Sequence, residues 1–404
     1  MDKIRVIDAR MGRGKTSAAI AYMEQHRRDK RFLYITPYLT EVERICESCD
    51  FEQPNSDHST KLAYLKSMLR RRRNVASTHS LFYLLDEEAL EIIRANEYTL
   101  IIDEAIDPVY KANMTRKDQK LIMDGLAEIA EDGFLQWKDT EYVGKLSEYK
   151  KMADDHSLCV QGGSLFYVMN PIMLTSFAEV IMMTYLFNGQ SQRAYLDYFE
   201  LEYEVCGIDS SDGYRFSDGP DDPPPLNYNE LIRIEQSEKM NDVGHDKFSL
   251  SKSWYEARKN RDDRDLRILR NNMNNFFRRK TSGNTSLQLW TCFKNHADKL
   301  YGDRRRHVNS FLQMSARATN EYRSRSDLAY LVNRFVDPNI KKFFASKGVR
   351  IDEDEYALGE MLQWIWRGCI RDNRPINLYI PSRRMRRLLE DWIEKNSKGD
   401  NQDE

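Results

Sequence analysis

Ile4-Arg-Val-Ile7-Asp-Ala9-Arg-Met-Gly12-Arg13-Gly14-Lys15-Thr16 decides the reading of this chain, because an apolar run leads directly into a glycine turn. Ile4 to Ile7 reads as a buried strand, and Ser17-Ala-Ala-Ile-Ala-Tyr-Met23 reads as a helix rich in small residues. Strand, glycine turn and helix in that order are what a phosphate loop requires. Backbone N–H groups from Gly12 through Arg13 and Gly14 to Ser17 can wrap a β-phosphate at the helix N-terminus. Lys15 can reach the β and γ oxygens, and the Thr16 hydroxyl can ligate Mg²⁺. Ala9 stands where the strict pattern has glycine, and it is small enough to keep the turn. The plainer alternative is a glycine turn followed by Lys-Thr without function.

About ninety residues on, Tyr98-Thr-Leu-Ile-Ile-Asp103-Glu104-Ala-Ile106 is a buried-strand pattern that ends in two carboxylates. Strand C-termini of an open α/β sheet are where ligands meet the fold. Asp103 is expected to hold Mg²⁺, and Glu104 to orient and deprotonate an attacking water. Adjacent acids alone are a common solvated strand end; their position after a phosphate loop makes them candidates for chemistry.

With 404 residues, the chain is long enough for two domains of ordinary size. Its net charge of −2 gives no global attraction to nucleic acid, so such a partner would need local basic patches. Candidates are Arg70 to Arg73, Arg278-Arg-Lys280, Arg304 to Arg306 and Arg383-Arg-Met-Arg-Arg387, each of which also reads as a solvated helix face. Of six cysteines only Cys46 and Cys49 are close, and a single C-x-x-C without a spaced partner reads as two ordinary thiols. No apolar stretch approaches a membrane span, and the chain starts directly on its first strand, so a cytoplasmic protein without a membrane partner is expected.

Up to about residue 110, short apolar runs (Ile4 to Ile7, Phe32 to Thr36, Asn74 to Ser77, Leu100 to Ile102) alternate with amphipathic segments. That alternation predicts an α/β fold with a mainly parallel sheet. Residues 111–170 are more polar and helical in pattern and read as an insertion, after which Val180 to Thr184 supplies another strand. Gly207 to Gly213 and Gly219-Pro-Asp-Asp-Pro-Pro-Pro225 punctuate the chain. The expected organisation is therefore a first parallel-sheet domain over 1–204, a linker and charged helical segment over 205–282, a second such domain over 283–395, and a polar tail over 396–404. Leu287 to Thr291, Phe311 to Met314 and Ile376 to Ile380 are its expected strands.

Gln363-Trp-Ile-Trp-Arg367-Gly-Cys-Ile-Arg371-Asp372 precedes the last of these strands. Gln363, Arg367 and Arg371 are four apart, which on a helix puts them on one face. A guanidinium aimed at a neighbouring domain's γ-phosphate would act as an arginine finger; the plainer reading is a polar helix stripe. Trp364 and Trp366 read as core beside Ile365 and Ile370.

With these motifs the chain resembles the superfamily 2 helicases of the DEAD/DEAH-box type, in particular compact helicase-like proteins of tailed phages. Ala9 to Thr16 resembles motif I, Asp103-Glu-Ala-Ile106 motif II and Gln363 to Arg371 motif VI. Thr36-Pro37-Tyr-Leu-Thr40 resembles motif Ia, and Thr78-His79 the next nucleic-acid contact. Met183 to Phe187 resembles motif III, Trp290 to Lys294 motif IV, and Ser315-Ala-Arg-Ala-Thr319-Asn320 motif V. The resemblance implies two RecA-like parallel-sheet domains in tandem with helical insertions. It implies ATP bound with Mg²⁺ in a cleft between them, hydrolysed through Glu104, Gln363, Arg367 and Arg371. Thr36, Pro37, Thr78, His79, Lys294, Thr319 and Asn320 would then hold a nucleic-acid strand by its phosphates.

Three departures stand out. Arg371 follows Arg367 by four residues rather than three, motif III has Thr-Tyr where Ala-Thr is usual, and only three residues precede the first strand, which predicts no upstream glutamine motif and loose base selectivity. The expected function is an ATP-dependent helicase or translocase. Single-stranded or duplex DNA is the expected partner, with RNA as a second choice, in phage replication, recombination or repair alongside the phage's own proteins. Two rivals remain open: a terminase-type packaging ATPase, which requires three convergent carboxylates in its C-terminal nuclease, and a nucleotide-bound adaptor that barely hydrolyses ATP.

Overall fold

The computed structural model describes residues 4–55, 60–223, 226–258, 260–301, 307–314 and 320–397. They form two units, one of residues 1–222 with 336–352, the other of 223–335 with 353–404.

The first unit is built on a six-stranded parallel sheet. In chain order its strands are β1 (Ile4–Asp8), β2 (Arg31–Thr36), β3 (Val75–Thr78) and β4 (Tyr98–Asp103). After the small strands β5 (Val109–Lys111), β6 (Ala127–Ile129), β7 (Leu135–Trp137), β8 (Leu158–Gln161) and β9 (Ser164–Val168) come β10 (Glu179–Thr184) and β11 (Tyr203–Cys206). The spatial order is β11-β1-β10-β4-β2-β3. Every pairing is parallel, so all six C-termini lie along one edge. Alternation along the strands feeds two cores: Leu100, Ile102, Val180 and Met182 face one side, Ile101, Ile181 and Met183 the other. A sheet covered on both faces needs unbroken apolar strands, which is why β4 is buried at every residue. Helix α1 (Lys15–Gln25) lies close to the sheet because Ala18 and Ala19, both fully buried, carry almost no side chain.

Residues 111–170 contain helices (Arg116–Leu121 and Ser147–Asp154) and also two antiparallel sheets, β5-β9-β8 and β6-β7. The β8–β9 turn is Gly162-Gly163, with φ of 57° and 70°. Positive φ at both positions is what a tight hairpin needs, so Gly-Gly here marks strands that a polar, helical reading of the segment does not contain. The helix Pro338–Ala345 belongs to this unit: Phe343 stacks on Tyr198 at 4.5 Å, and Lys347 lies 4.4 Å over the same ring.

Residues 205–222 continue the first unit. Beyond β11 a short hairpin forms from β12 (Ile208–Asp209) and β13 (Arg215–Phe216). The second unit has a four-stranded parallel sheet, order β14-β17-β16-β15, from β14 (Ile232–Ile234), β15 (Gln288–Thr291), β16 (Asp327–Tyr330) and β17 (Ile376–Tyr379). β15 and β17 match expected strands. Phe311 makes only an isolated bridge to Trp290, its ring 4.8 Å from the indole, so the strand expected over Phe311 to Met314 does not form. Both units are thus parallel-sheet α/β folds. No helix among the described residues is long and apolar enough to cross a membrane.

Candidate functional site

The C-terminal edge of the first sheet collects the residues singled out by sequence. Register pairs Asp8 with Thr184, Met183 with Asp103, and Thr36 with Thr78. Gly12 (φ 81°) and Gly14 (φ 87°) take the left-handed conformation that turns the chain from β1 into α1. Gly14 is the N-cap of α1; it provides no side-chain cap, and the first turn contains no acidic residue. The leading N–H groups of Lys15, Thr16 and Ser17 therefore point at the loop without a carboxylate to satisfy them, a geometry suited to an anion.

Lys15 extends its Nζ back to the carbonyl oxygens of Ala9 and Arg10, the latter at 3.2 Å. Burial pulls its pKa down, against the fields of Asp103, Asp8 and Glu104 that pull it up. Asp103 is buried and accepts a 2.8 Å hydrogen bond from the Tyr34 hydroxyl. Burial raises its pKa to about 6, although the Tyr34 bond and Lys15 act in the opposite direction. Glu104 has φ of 63°, unusual for a residue with a side chain, and its Oε2 accepts from the Tyr38 hydroxyl at 3.0 Å. Asp8 receives the Phe187 N–H on Oδ2 while its Oδ1 is buried without a partner, and burial raises its pKa as well. An ammonium among three carboxylates, beside uncapped helix N–H groups, has the donors and acceptors that a nucleotide phosphate and Mg²⁺ require.

The nucleic-acid candidates are placed differently. Thr36 is fully buried, its Oγ1 without a partner, and Pro37 and Thr78 are half-buried beside it. The His79 ring lies 3.0 Å from the Asp103 carbonyl oxygen through Nε2, and burial drops its pKa to about 4. Lys294 is exposed, three residues beyond β15. Asn320 opens a 3₁₀ turn, whereas Thr319, the rest of Ser315 to Thr319, and Arg304 to Arg306 lie outside the described residues.

Gln363, Arg367 and Arg371 do not share a helix face. The helix Glu353–Ile365 stops before Arg367, and a 3₁₀ turn, Cys369–Asp372, follows. Gly368 forces the break: its backbone packs so near the Arg325 carbonyl that a Cβ would come within 2.9 Å, and the next N–H, of Cys369, bonds that same oxygen at 2.8 Å. Gln363 and Arg367 are half-buried and Arg371 is exposed. Arg367 Nη1 is buried without a hydrogen-bond partner. Half of the arginines in two of the basic runs pair with carboxylates at home: Arg70 with Glu88, Arg73 with Glu52 at 3.1 Å, Arg384 with Asp354 at 2.6 Å and Arg387 with Asp391 at 3.7 Å.

Sequence reasoning missed Asp8, Tyr34, Tyr38 and the hairpin next to the loop. An acid closing β1 just as Asp103 closes β4 was a readable signal for Asp8. Nothing local marks the tyrosines, which matter only because β2 lies beside β4.

A family model, the YonV C-terminal Rossmann-like domain, matches residues 226–393. The SPbeta prophage-derived uncharacterized protein YonV of Bacillus subtilis (strain 168) is 35% identical over 414 residues, spanning 98% of this chain and 99% of its own. Among solved structures, that of S. tokodaii Xpd4 is similar with a TM-score of 0.51 at 13% identity, covering 98% of this chain and 96% of that one. At that identity the likeness is one of fold.

Proposed function

The chain belongs to the family of the prophage protein YonV, and from that premise we propose that it is an ATP-driven motor of the superfamily 2 helicase type, working on DNA in phage replication, recombination or repair. The observation that supports it best is the meeting of an uncapped phosphate loop with Asp103 and Glu104 on one sheet edge, around Lys15. A solvated strand end would not bury Asp103 or hold Glu104 at positive φ.

In this reading the N–H groups from Gly12 to Ser17 cradle the β-phosphate, and Lys15 leaves its carbonyl partners for the β and γ oxygens. Thr16 and Asp103 would hold Mg²⁺, which supplies charge neutralisation at the transferring phosphoryl group. Tyr34 fixes the Asp103 carboxylate. Glu104, steadied by Tyr38, orients the water and takes its proton. Of the two arginines, Arg367 is the better finger, because a half-buried guanidinium with an unpartnered nitrogen is poorly hydrated, whereas Arg371 sits in solvent. Thr36, Pro37, Thr78, Lys294, Thr319 and Asn320 are the proposed contacts to the strand, and His79 supports the strand end behind them.

ATP hydrolysis measured with single-stranded DNA, duplex DNA and RNA in turn tests the proposal. Stimulation by a DNA form is the expected result. Hydrolysis indifferent to every polymer would leave a nucleotide-bound adaptor as the better reading.

A further inference from the structure

Residues 207–222 lie against the phosphate loop, and no motif accounts for them. The segment is anchored at both ends. Ile208 is buried in the core shared with α1, and the Phe216 ring packs 5.6 Å from Tyr22 of that helix. Gly207 lets the chain fold back on itself, since a Cβ there would come within 2.4 Å of the Asp221 backbone. Between the anchors, Asp209 to Arg215 form an exposed tip that turns at Gly213 with φ of 79°.

Three side chains of this segment meet the loop: Tyr214, Asp221 and Ser210. The Tyr214 ring packs on Gly14 so closely that a Cβ built there would sit 2.2 Å from the ring. Glycine in a phosphate loop lets the backbone N–H groups come close to a phosphate, and the Tyr214 ring stands directly against the residue that caps the helix carrying those groups. Asp221 meets Arg13: its Oδ1 accepts from Nη2 at 3.3 Å and from Nε at 3.4 Å. Arg13 also donates to the Ile208 carbonyl at 3.0 Å and to the Ser210 hydroxyl at 3.3 Å. The Asp221 side chain is only 6% exposed, and its Oδ2 is buried without a partner. Its field reaches Lys15 too. The segment thus brings both bulk and negative charge to a loop whose donors suit an anion.

We propose that residues 207–222 form a strap that occupies the phosphate cradle, with Tyr214 as its plug and the Arg13–Asp221 pair as its latch, so that a nucleoside triphosphate must displace the tip to bind. This rests on the reading of residues 9–17 as a nucleotide site. At the tip displacement breaks only the Tyr214 packing and the Ser210–Arg13 hydrogen bond, and Tyr214 itself is 45% exposed, while Ile208 and Phe216 keep the base of the strap in place. The incoming phosphates take over the neutralisation of Arg13 and Lys15 that Asp221 provides. Affinity for nucleotide is then lowered by the fraction of molecules with the strap closed.

Equilibrium dialysis of ATP with Mg²⁺ against the full chain tests this, with Tyr214→Ala and Lys15→Ala as variants. Removing the plug should tighten binding about tenfold, and hydrogen exchange over residues 209–215 should accelerate when ATP is added. Unchanged or weaker binding by Tyr214→Ala, or slower exchange at the tip with ATP, overturns the strap: the ring is then a neighbour or a clasp of the ligand. Lys15→Ala separates the two readings. If it binds ATP as the parent does, or if no form binds, the nucleotide site itself fails and the strap fails with it.

Discussion

Past the strand ends, the two sheets treat their polar groups in different ways. In the first unit, Asp8 Oδ1, Thr36 Oγ1 and Gln190 Oε1 are buried without partners within one edge, next to the buried carboxylate of Asp103. In the second, just beyond β16, Asn333 is fully buried and fully employed: its Nδ2 donates to the carbonyls of Lys247 at 2.9 Å and Ser249 at 3.0 Å, and its Oδ1 accepts from Arg384 at 3.1 Å. Arg384 continues the network to the carbonyls of Arg334 and Glu353 and lies over the Phe335 ring at 4.5 Å. Each orphaned buried group costs about 1–3 kcal/mol. A fold tends to keep such groups where something else is meant to satisfy them, and the first edge gathers three of them beside Asp103, whereas the second sheet leaves Thr291 Oγ1 unpartnered at the end of β15. The orphaned groups cluster at the first edge, while the Asn333–Arg384 network ties together the second.

The sharpest way to break this contrast lies in one of the second unit's own orphaned groups, the unpartnered Arg367 Nη1. Arg367→Ala should lower ATP turnover by roughly 10⁴-fold, the range of a lost arginine finger. Arg371→Ala, which removes a solvated group, should lower it by less than about tenfold. Equal losses from both would remove the link between burial and role. Glu104→Gln should lower kcat by roughly 10³-fold with the affinity for ATP kept, because shape and the Tyr38 contact survive while the base does not. Turnover that persists in this variant would reduce the first edge to an ordinary strand end.

Asn333→Ala probes the rigid side. Three hydrogen bonds vanish in a fully buried site, and two backbone carbonyls and a guanidinium lose a partner, so stability should fall by about 3 kcal/mol. Urea denaturation would read it, and nucleotide affinity should stay unchanged. A stable variant would show that water takes over the network.

The two edges also differ in how much of them the sequence discloses. β1, β2, β4 and β10 are legible because strands buried on both faces must be apolar throughout, and Lys15, Asp103 and Glu104 because phosphate chemistry demands fixed residue types at strand ends. β16 is four residues that open on an acid, and β14 interposes Arg233 between two isoleucines, so neither stands out until its neighbours are known. Arg367 and Arg371 keep helical spacing on paper; Gly368 was the local sign of a break, but the carbonyl of Arg325 that makes the break necessary is forty-three residues away in sequence. Tyr34, Tyr38 and Asp221 fall inside patterns read for other reasons, and with Tyr214 they reach the loop or its carboxylates only through tertiary closure.

His79 gives the smallest effect and the most direct measure of how dry the first edge is. Its pKa falls from 6.5 to about 4 because burial disfavours the imidazolium, outweighing the hydrogen bonds to the Asp103 and Ile35 backbone. Between those two values the unfolded chain binds a proton that the folded chain does not, so protonation favours unfolding. Stability from this group is therefore complete above pH 6.5 and drains away as the pH falls toward 4. The loss between pH 7 and pH 5 amounts to about 2 kcal/mol. Urea denaturation at the two pH values should show it in the parent, and His79→Gln, which keeps a donor near the Asp103 carbonyl without a titrating ring, should flatten that part of the slope. An unchanged slope in the variant would mean that the imidazole is hydrated, and that the edge behind Thr36 and Thr78 is open to water rather than sealed.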